Sequence, residues 1–192
     1  LGMKRVRASA PQLTIVVVGE SANRHHLGLY GYARATTPVL SAVPTAQLLV
    51  YRDVISSAIT THHSLTRALT TATLASGKTY DDAGMASVFE LLRSAGLYTS
   101  WISNQMPHGL WGQAITDIAD HANTTHYARN DTRDSRTSRL FDDTESLTAP
   151  FDEVLLPLLD KEIAAAPRPA VLFVHIMGSH FKAADRYPAA FD

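Results

Sequence analysis

The sequence predicts an α/β fold in which a mostly parallel sheet is flanked by helices. Leu13–Val18 (LTIVVV), Leu97–Ser103 (LYTSWIS) and Ala170–Met177 (AVLFVHIM) are short apolar runs that end at glycine or polar residues, as strands do. Segments with helical spacing lie between them, from Thr61, over Met85–Ala95 and over Phe151–Ala166. Strand alternating with helix is the order of a parallel sheet, because each crossover needs a helix-sized connection.

Each element has its own justification. Residues 1–12 are polar and basic and predict a loose lead-in; the leucine that stands first reads as a cloning scar before Met3, so an excised piece is expected, with 13–192 forming the folded part. Leu13–Val18 is wholly apolar and rich in β-branched residues, which suits a strand buried on both faces. Thr37–Pro38 predicts a helix N-cap with proline at the first position, and Leu48–Val54 a short strand. From Thr61 a helix is expected, with Leu65, Leu69 and Leu74 on or near one face and Gly77 as its stop. Asp81–Asp82 precede a clearer helix at Met85–Ala95, where Val88, Leu91 and Leu92 repeat at helical spacing and Gly96 ends the run. Residues 106–147 are weakly patterned and predict a long excursion that contains short helices or serves a site. Pro157 inside Phe151–Ala166 predicts a kink or a late start.

Composition excludes several classes. With 192 residues, 45% of them hydrophobic, the chain can bury a real core as one domain. A net charge of -1 without a basic stripe argues against nucleic acid as a partner. There is no cysteine, so neither a disulfide nor a thiolate metal site can form. No apolar run approaches the roughly 20 residues that span a bilayer.

Polar groups sit at three strand exits: Glu20, Asn104 with Gln105, and His180. Ligands of open α/β sheets gather beyond the carboxyl ends of the strands, so these are the candidate site residues. Thr61 stands at a helix start, where free amides and the helix dipole favour an anion. A carboxylate and histidines near such a start suit a divalent metal that binds phosphoryl oxygens, and a metal-bound threonine hydroxyl becomes a nucleophile. Structural readings stand beside these: Glu20 or Thr61 as a helix cap, Asn104 and Gln105 as turn residues, and His25, His26, His62 and His63 as solvated side chains. His175 reads as a packed core histidine, and Trp101 and Trp111 as packing rather than a stacking platform.

Four stretches in order resemble the phosphoethanolamine transferases of the alkaline phosphatase and sulfatase superfamily. VVVGESANRHHLGLYGYARATTPVL resembles their opening motif, and VISSAITTHHSLTRALT the segment that carries a threonine nucleophile. AGLYTSWISNQ resembles a strand that ends in Trp and an Asn-Gln pair, and VLFVHIMGSHFKAADRYP a histidine-bearing strand exit. The resemblance implies an alkaline phosphatase/sulfatase-like fold, truncated at its C-terminus. It further implies that Glu20 binds a catalytic zinc, or another divalent cation such as manganese, and that Thr61 is both metal ligand and nucleophile. Thr61 is preferred to Thr60 because Ser64, three positions on, keeps the family spacing. Asn104 and Gln105 fall where the family contacts the head group, and His180 matches a histidine tied to substrate or a second zinc.

The implied reaction transfers phosphoethanolamine from phosphatidylethanolamine, through a phosphothreonine, to lipid A, lipopolysaccharide core, glucan or protein. The implied setting is the bacterial inner membrane, reached through preceding helices, with the domain facing the periplasm. The family's Asp-His-Gly-Glu motif, which completes its zinc site, does not occur here, so this piece alone is expected to bind zinc weakly and to be inactive. The absence of the cysteines found in lipid A-modifying members tilts the expected acceptor toward other branches. A sulfatase reading needs cysteine or serine four positions before the arginine, where His63 precedes Arg67. A phosphoglycerol transferase also uses a metal-bound threonine, but the GESANRHHLGLYGY segment fits the phosphoethanolamine branch better. A non-catalytic domain of the same fold is the remaining alternative.

Overall fold

The computed structural model describes residues 12–73, 85–107, 113–128, 151–180 and 183–188. Among them, four parallel strands form one sheet in the order β1-β4-β2-β3, with β1 Leu13–Val18, β2 Tyr98–Ser103, β3 Thr124–Tyr127 and β4 Ala170–His175. The helices are α1 Pro38–Ser41, α2 Thr61–Leu69, α3 Val88–Ser94, α4 Gln113–Ala119 and α5 Leu155–Ala165. This is the expected α/β architecture.

Alternation along the two central strands builds the core. Trp101 and Phe173, register partners on β2 and β4, cluster with Leu69, Phe89, Ile115 and Ile118 from α2, α3 and α4. Their neighbours Ile102 and Val174 point the other way, onto Leu155 of α5. Helices therefore cover both faces of the central strands, which makes these strands apolar throughout.

β1 departs from the expected burial on both faces. Its sole neighbour among the described residues is β4, and Ile15 and Val17 are 41% and 63% exposed. The apolar run is that of an edge strand with one face open.

Other boundaries shift for local reasons. α3 starts later than Met85 because Ser87 caps it: the Ser87 hydroxyl accepts from the Glu90 amide and the Glu90 carboxylate from the Ser87 amide. Hydrogen bonding from the Ser87 backbone holds the Glu90 carboxyl below its ordinary value. α2 ends at Leu69, while Leu74, Gly77 and Asp81–Asp82 lie outside the described residues. The 106–147 stretch contains α4 and strand β3, so the expected loop is partly regular; its remainder from 129 onward lies outside the described residues. Pro157 is the third residue of α5, where its missing N–H costs no helical bond, so the late start holds and no kink is needed.

The described residues fall into two compact units, Ser21–Ser56 and the remainder. Within the smaller unit, the Thr36 and Thr37 hydroxyls accept the Gly28 and Leu29 amides at 2.9 and 2.8 Å. Thr37 thus staples a turn and does not cap α1, as the sequence had suggested. Leu48–Val54 forms no strand: the Tyr51 and Arg52 carbonyls accept from the side chains of Tyr30 and Arg24 instead of a neighbouring chain.

Candidate active site

Val18, His175 and Ser103 are register partners at the carboxyl ends of β1, β4 and β2. Glu20 follows β1 by two residues and is buried, 8% exposed. Ser21 turns the chain away at once through a φ of 51°, a backbone conformation uncommon outside glycine.

Thr61 opens α2, and its Oγ1 donates to Glu20 Oε2 at 2.6 Å. The N-cap residue, Thr60, makes no side-chain capping bond; its hydroxyl is engaged with His63 Nδ1 at 2.8 Å. The helix therefore presents first-turn amides without a cap beside the Glu20–Thr61 pair. Thr61 itself is not the cap.

The exit of β4 locks onto β1. Ile176 N donates to the Val18 carbonyl and Ser179 N to the Glu20 carbonyl, both at 3.1 Å. Gly178 has a φ of +54°, and a Cβ there would stand 2.6 Å from the Glu20 carbonyl oxygen, so the turn approaches Glu20 as closely as only glycine permits. His180 closes the same turn, its amide donating to the Met177 carbonyl at 3.2 Å. Its Nδ1 is buried without a hydrogen-bond partner among the described residues.

Asn104 and Gln105 leave β2 toward the same turn. Asn104 Nδ2 donates to Asp152 Oδ1 at 2.9 Å, and Gln105 Nε2 donates to the Ile176 carbonyl at 3.1 Å. These amide groups thus brace the protein. His175 is a core histidine, 2% exposed, with Nδ1 on Ser103 Oγ at 3.2 Å and its ring against Trp101. Burial pushes its imidazole down to about 4, against the opposing pull of the Glu20 and Asp152 carboxylates.

The structure thus brings Glu20 and Thr61 into contact and ties the His180 turn to the Glu20 backbone. His25, His26 and His63 are exposed, while Trp111 lies outside the described residues. Sequence reasoning missed Asp152, which accepts from Asn104 and from the amides of Met177 and Gly178. Its signal was one of two adjacent acids, Asp152 and Glu153, ahead of a helix, with the three partners named here all distant in the chain.

Glu20 and Thr61 offer two hard oxygen donors, one corner of a divalent-cation site. Among the described residues no three His, Cys, Asp or Glu side chains cluster for a metal. A zinc site usually takes three or four protein ligands from Cys, His, Asp and Glu, so of this pair Glu20 is an ordinary zinc donor and the two together fall short of a full set.

Comparison with known proteins gives the family. The sulfatase family profile matches residues 12–192. Phosphoethanolamine transferase EptC of Escherichia coli O18:K1:H7 is 30% identical over 180 residues, 93% of this chain and 29% of that protein. Phosphoethanolamine transferase CptA of Salmonella typhimurium is 31% identical over 181 residues, again 93% of this chain and 29% of the relative. Among solved structures, the C-terminal periplasmic domain of EptC from Escherichia coli in complex with Zn superposes with a TM-score of 0.76 at 28% identity, covering 95% of this chain and 48% of that one. The chain therefore spans under a third of these curated relatives and about half of that solved domain. It is a member of the sulfatase family, and the relatives named here are phosphoethanolamine transferases.

Proposed function

We propose that this chain is part of the periplasmic catalytic domain of a bacterial inner-membrane phosphoethanolamine transferase. On this reading it moves the group from phosphatidylethanolamine to an envelope acceptor such as lipid A, lipopolysaccharide, glucan or protein. The observation that carries the reading is the 2.6 Å contact between Thr61 Oγ1 and Glu20 Oε2 at an uncapped helix start. The resemblance to EptC and CptA supplies the group transferred.

Thr61 is the nucleophile. Its hydroxyl proton points at Glu20 Oε2, which leaves the lone pairs of Oγ1 for phosphorus. In the first half-reaction the Oγ1–P bond forms, the P–O bond to diacylglycerol breaks, and the proton that leaves Thr61 ends on the departing diacylglycerol oxygen. In the second, an acceptor oxygen attacks the phosphothreonine, the Oγ1–P bond breaks and Thr61 regains its hydroxyl. The first-turn amides of α2 face the phosphoryl oxygens and stabilise their charge. His180 closes the turn that is tied to the Glu20 backbone and so stands beside the Glu20–Thr61 pair. Asn104 and Gln105 hold the floor of the site through their bonds to Asp152 and the Ile176 carbonyl, at the strand exit where the head group would lie.

Glu20 and Thr61 would hold a divalent cation such as zinc, which when bound supplies Lewis-acid charge stabilisation and lowers the pKa of the threonine hydroxyl.

The test is intact mass after incubation of the zinc-loaded full-length protein that contains this chain with phosphatidylethanolamine and, separately, with phosphatidylglycerol. A gain of one phosphoethanolamine on the Thr61 peptide supports the reading. A phosphoglycerol adduct on the same peptide instead moves the protein to the lipoteichoic acid type, and no adduct with either lipid overturns transfer through Thr61.

A further inference from the structure

Asp152 belongs to none of the four motif stretches, yet its carboxylate gathers the site. Oδ1 accepts from Asn104 Nδ2 at 2.9 Å and from the Met177 amide at 2.7 Å, and Oδ2 accepts from the Gly178 amide at 2.8 Å. The two amides open the turn that runs to His180, and the next amide, Ser179, donates to the Glu20 carbonyl at 3.1 Å. Gly178 lies against the Glu20 backbone so closely that a Cβ would sit 2.6 Å from its carbonyl oxygen. Glu20 in turn receives the Thr61 hydroxyl at 2.6 Å.

From this chain of contacts we infer that Asp152 is a positioning residue: it holds the Met177–His180 turn against Glu20, and through it sets the Glu20–Thr61 pair and the place of His180. The inference deepens the transferase reading above and rests on it for its kinetic consequence.

Three properties suit Asp152 to this role. An ionised carboxylate accepts several bonds at once, and charge-assisted bonds to backbone amides are among the stronger ones. It sits on the short 3₁₀ turn Asp152–Val154 that leads into α5, whose Leu155 is buried against Ile102 and Val174, so the carboxylate is anchored by the core. It reaches both β2, through Asn104, and the β4 exit, so it fixes these two loops relative to each other as well as to β1. A neutral amide cannot do the same. Asp152→Asn keeps the shape but replaces one acceptor oxygen by a donor, which then faces an N–H group.

The test uses Asp152→Asn and Asp152→Ala in the full-length protein that contains this chain, with Asp160→Asn on an exposed position of α5 as the control. Amide exchange is read at Met177, Gly178 and Ser179, and transfer kinetics beside it. Asp152→Asn is expected to speed exchange at Ser179, which Asp152 does not touch, at least tenfold, with β2 and β4 amides unchanged. Transfer kcat is expected to fall about a hundredfold with KM altered less than threefold, since misplacement of reacting groups by about 1 Å costs on that scale. Unchanged Ser179 exchange in a folded Asp152→Asn protein overturns the inference, and so does faster exchange with unchanged kcat. If the wild type forms no Thr61 adduct, the transferase reading falls and the exchange result alone decides whether Asp152 holds the turn. Should Asp152→Ala fail to fold, the isosteric variant still decides.

Discussion

Thr61 Oγ1 lies 2.6 Å from Glu20 Oε2, although 41 positions separate the two residues in sequence. One residue stands beyond a strand end and the other at a helix start, so the contact depends on how α2 returns to the sheet. Removing the hydroxyl removes the proposed nucleophile and little packing. Thr61→Ala is expected to abolish transfer while unfolding free energy changes by no more than about 1 kcal/mol. Mass spectrometry of the adduct beside urea unfolding checks both halves.

Glu20→Gln preserves volume and the bond to Thr61 but removes the charge. Zinc affinity of the full-length protein is expected to fall at least tenfold, with melting temperature nearly unchanged in the absence of metal. Zinc titration by calorimetry reads this. An unchanged dissociation constant would remove Glu20 from the metal site.

Gly178 tests the closeness of the β4 turn. Gly178→Ala places a Cβ against the Glu20 backbone at 2.6 Å and forces alanine into a positive φ of 54°. A loss of roughly 2–3 kcal/mol is expected from strain and displacement together, with a large loss of transfer. Gly31→Ala meets nothing within 4 Å and carries only the cost of its φ of +97°, so it should destabilise less. Urea unfolding ranks the two.

Stability should fall in acid through His175. Its folded value is about 4, and the unfolded value is the ordinary one near 6.5. Between these the unfolded chain binds the proton and the folded chain does not. The contribution is therefore complete above about pH 6.5 and is lost as pH falls toward 4, a span on the order of 3 kcal/mol. The difference in stability between wild type and His175→Gln, measured from pH 7 to pH 4.5, isolates this imidazole. A constant difference across that range would show that it does not titrate as its burial requires.

A second buried network lies near the other end of β2. Burial alone would raise the Glu162 carboxyl, but bonds from Tyr98, Thr124 and His126 at 2.7, 2.8 and 3.0 Å outweigh it and hold the group below its ordinary value. Glu162→Leu leaves these three partners without their acceptor and is expected to cost about 3 kcal/mol. Tyr98→Phe, which removes one donor, should cost about 1 kcal/mol. Chemical denaturation of the two variants provides the comparison.

The fold class was legible because the three apolar runs have strand length, end at glycine or polar residues and are separated by helical segments. Burial was less legible. Leu13–Val18 has the composition of an interior strand, yet whether a second strand lies beside it is set by chain order across the sheet, which no local pattern encodes. Leu48–Val54 failed as a strand for the same reason, since β structure exists only with a partner to bond. Glu20 and Thr61 were legible as types at element ends, and the motif resemblance joined them. Asp152 was not, because it accepts from two backbone amides 25 and 26 positions away, and an acid ahead of a helix looks like any helix-start acid.

The rank formed by Val18, His175 and Ser103 carries one more consequence. Strands step about 3.3 Å per residue, so a one-residue slip of β1 would carry Glu20 that distance and reverse its facing. Among the described residues β1 is gripped along one flank alone, by β4. Fraying of that flank would take the carboxylate from Thr61 while the Trp101–Phe173 interior stayed intact. Among the described residues β1 is thus the weak seam of the proposed site, and the Glu20–Thr61 contact can be lost long before the interior is.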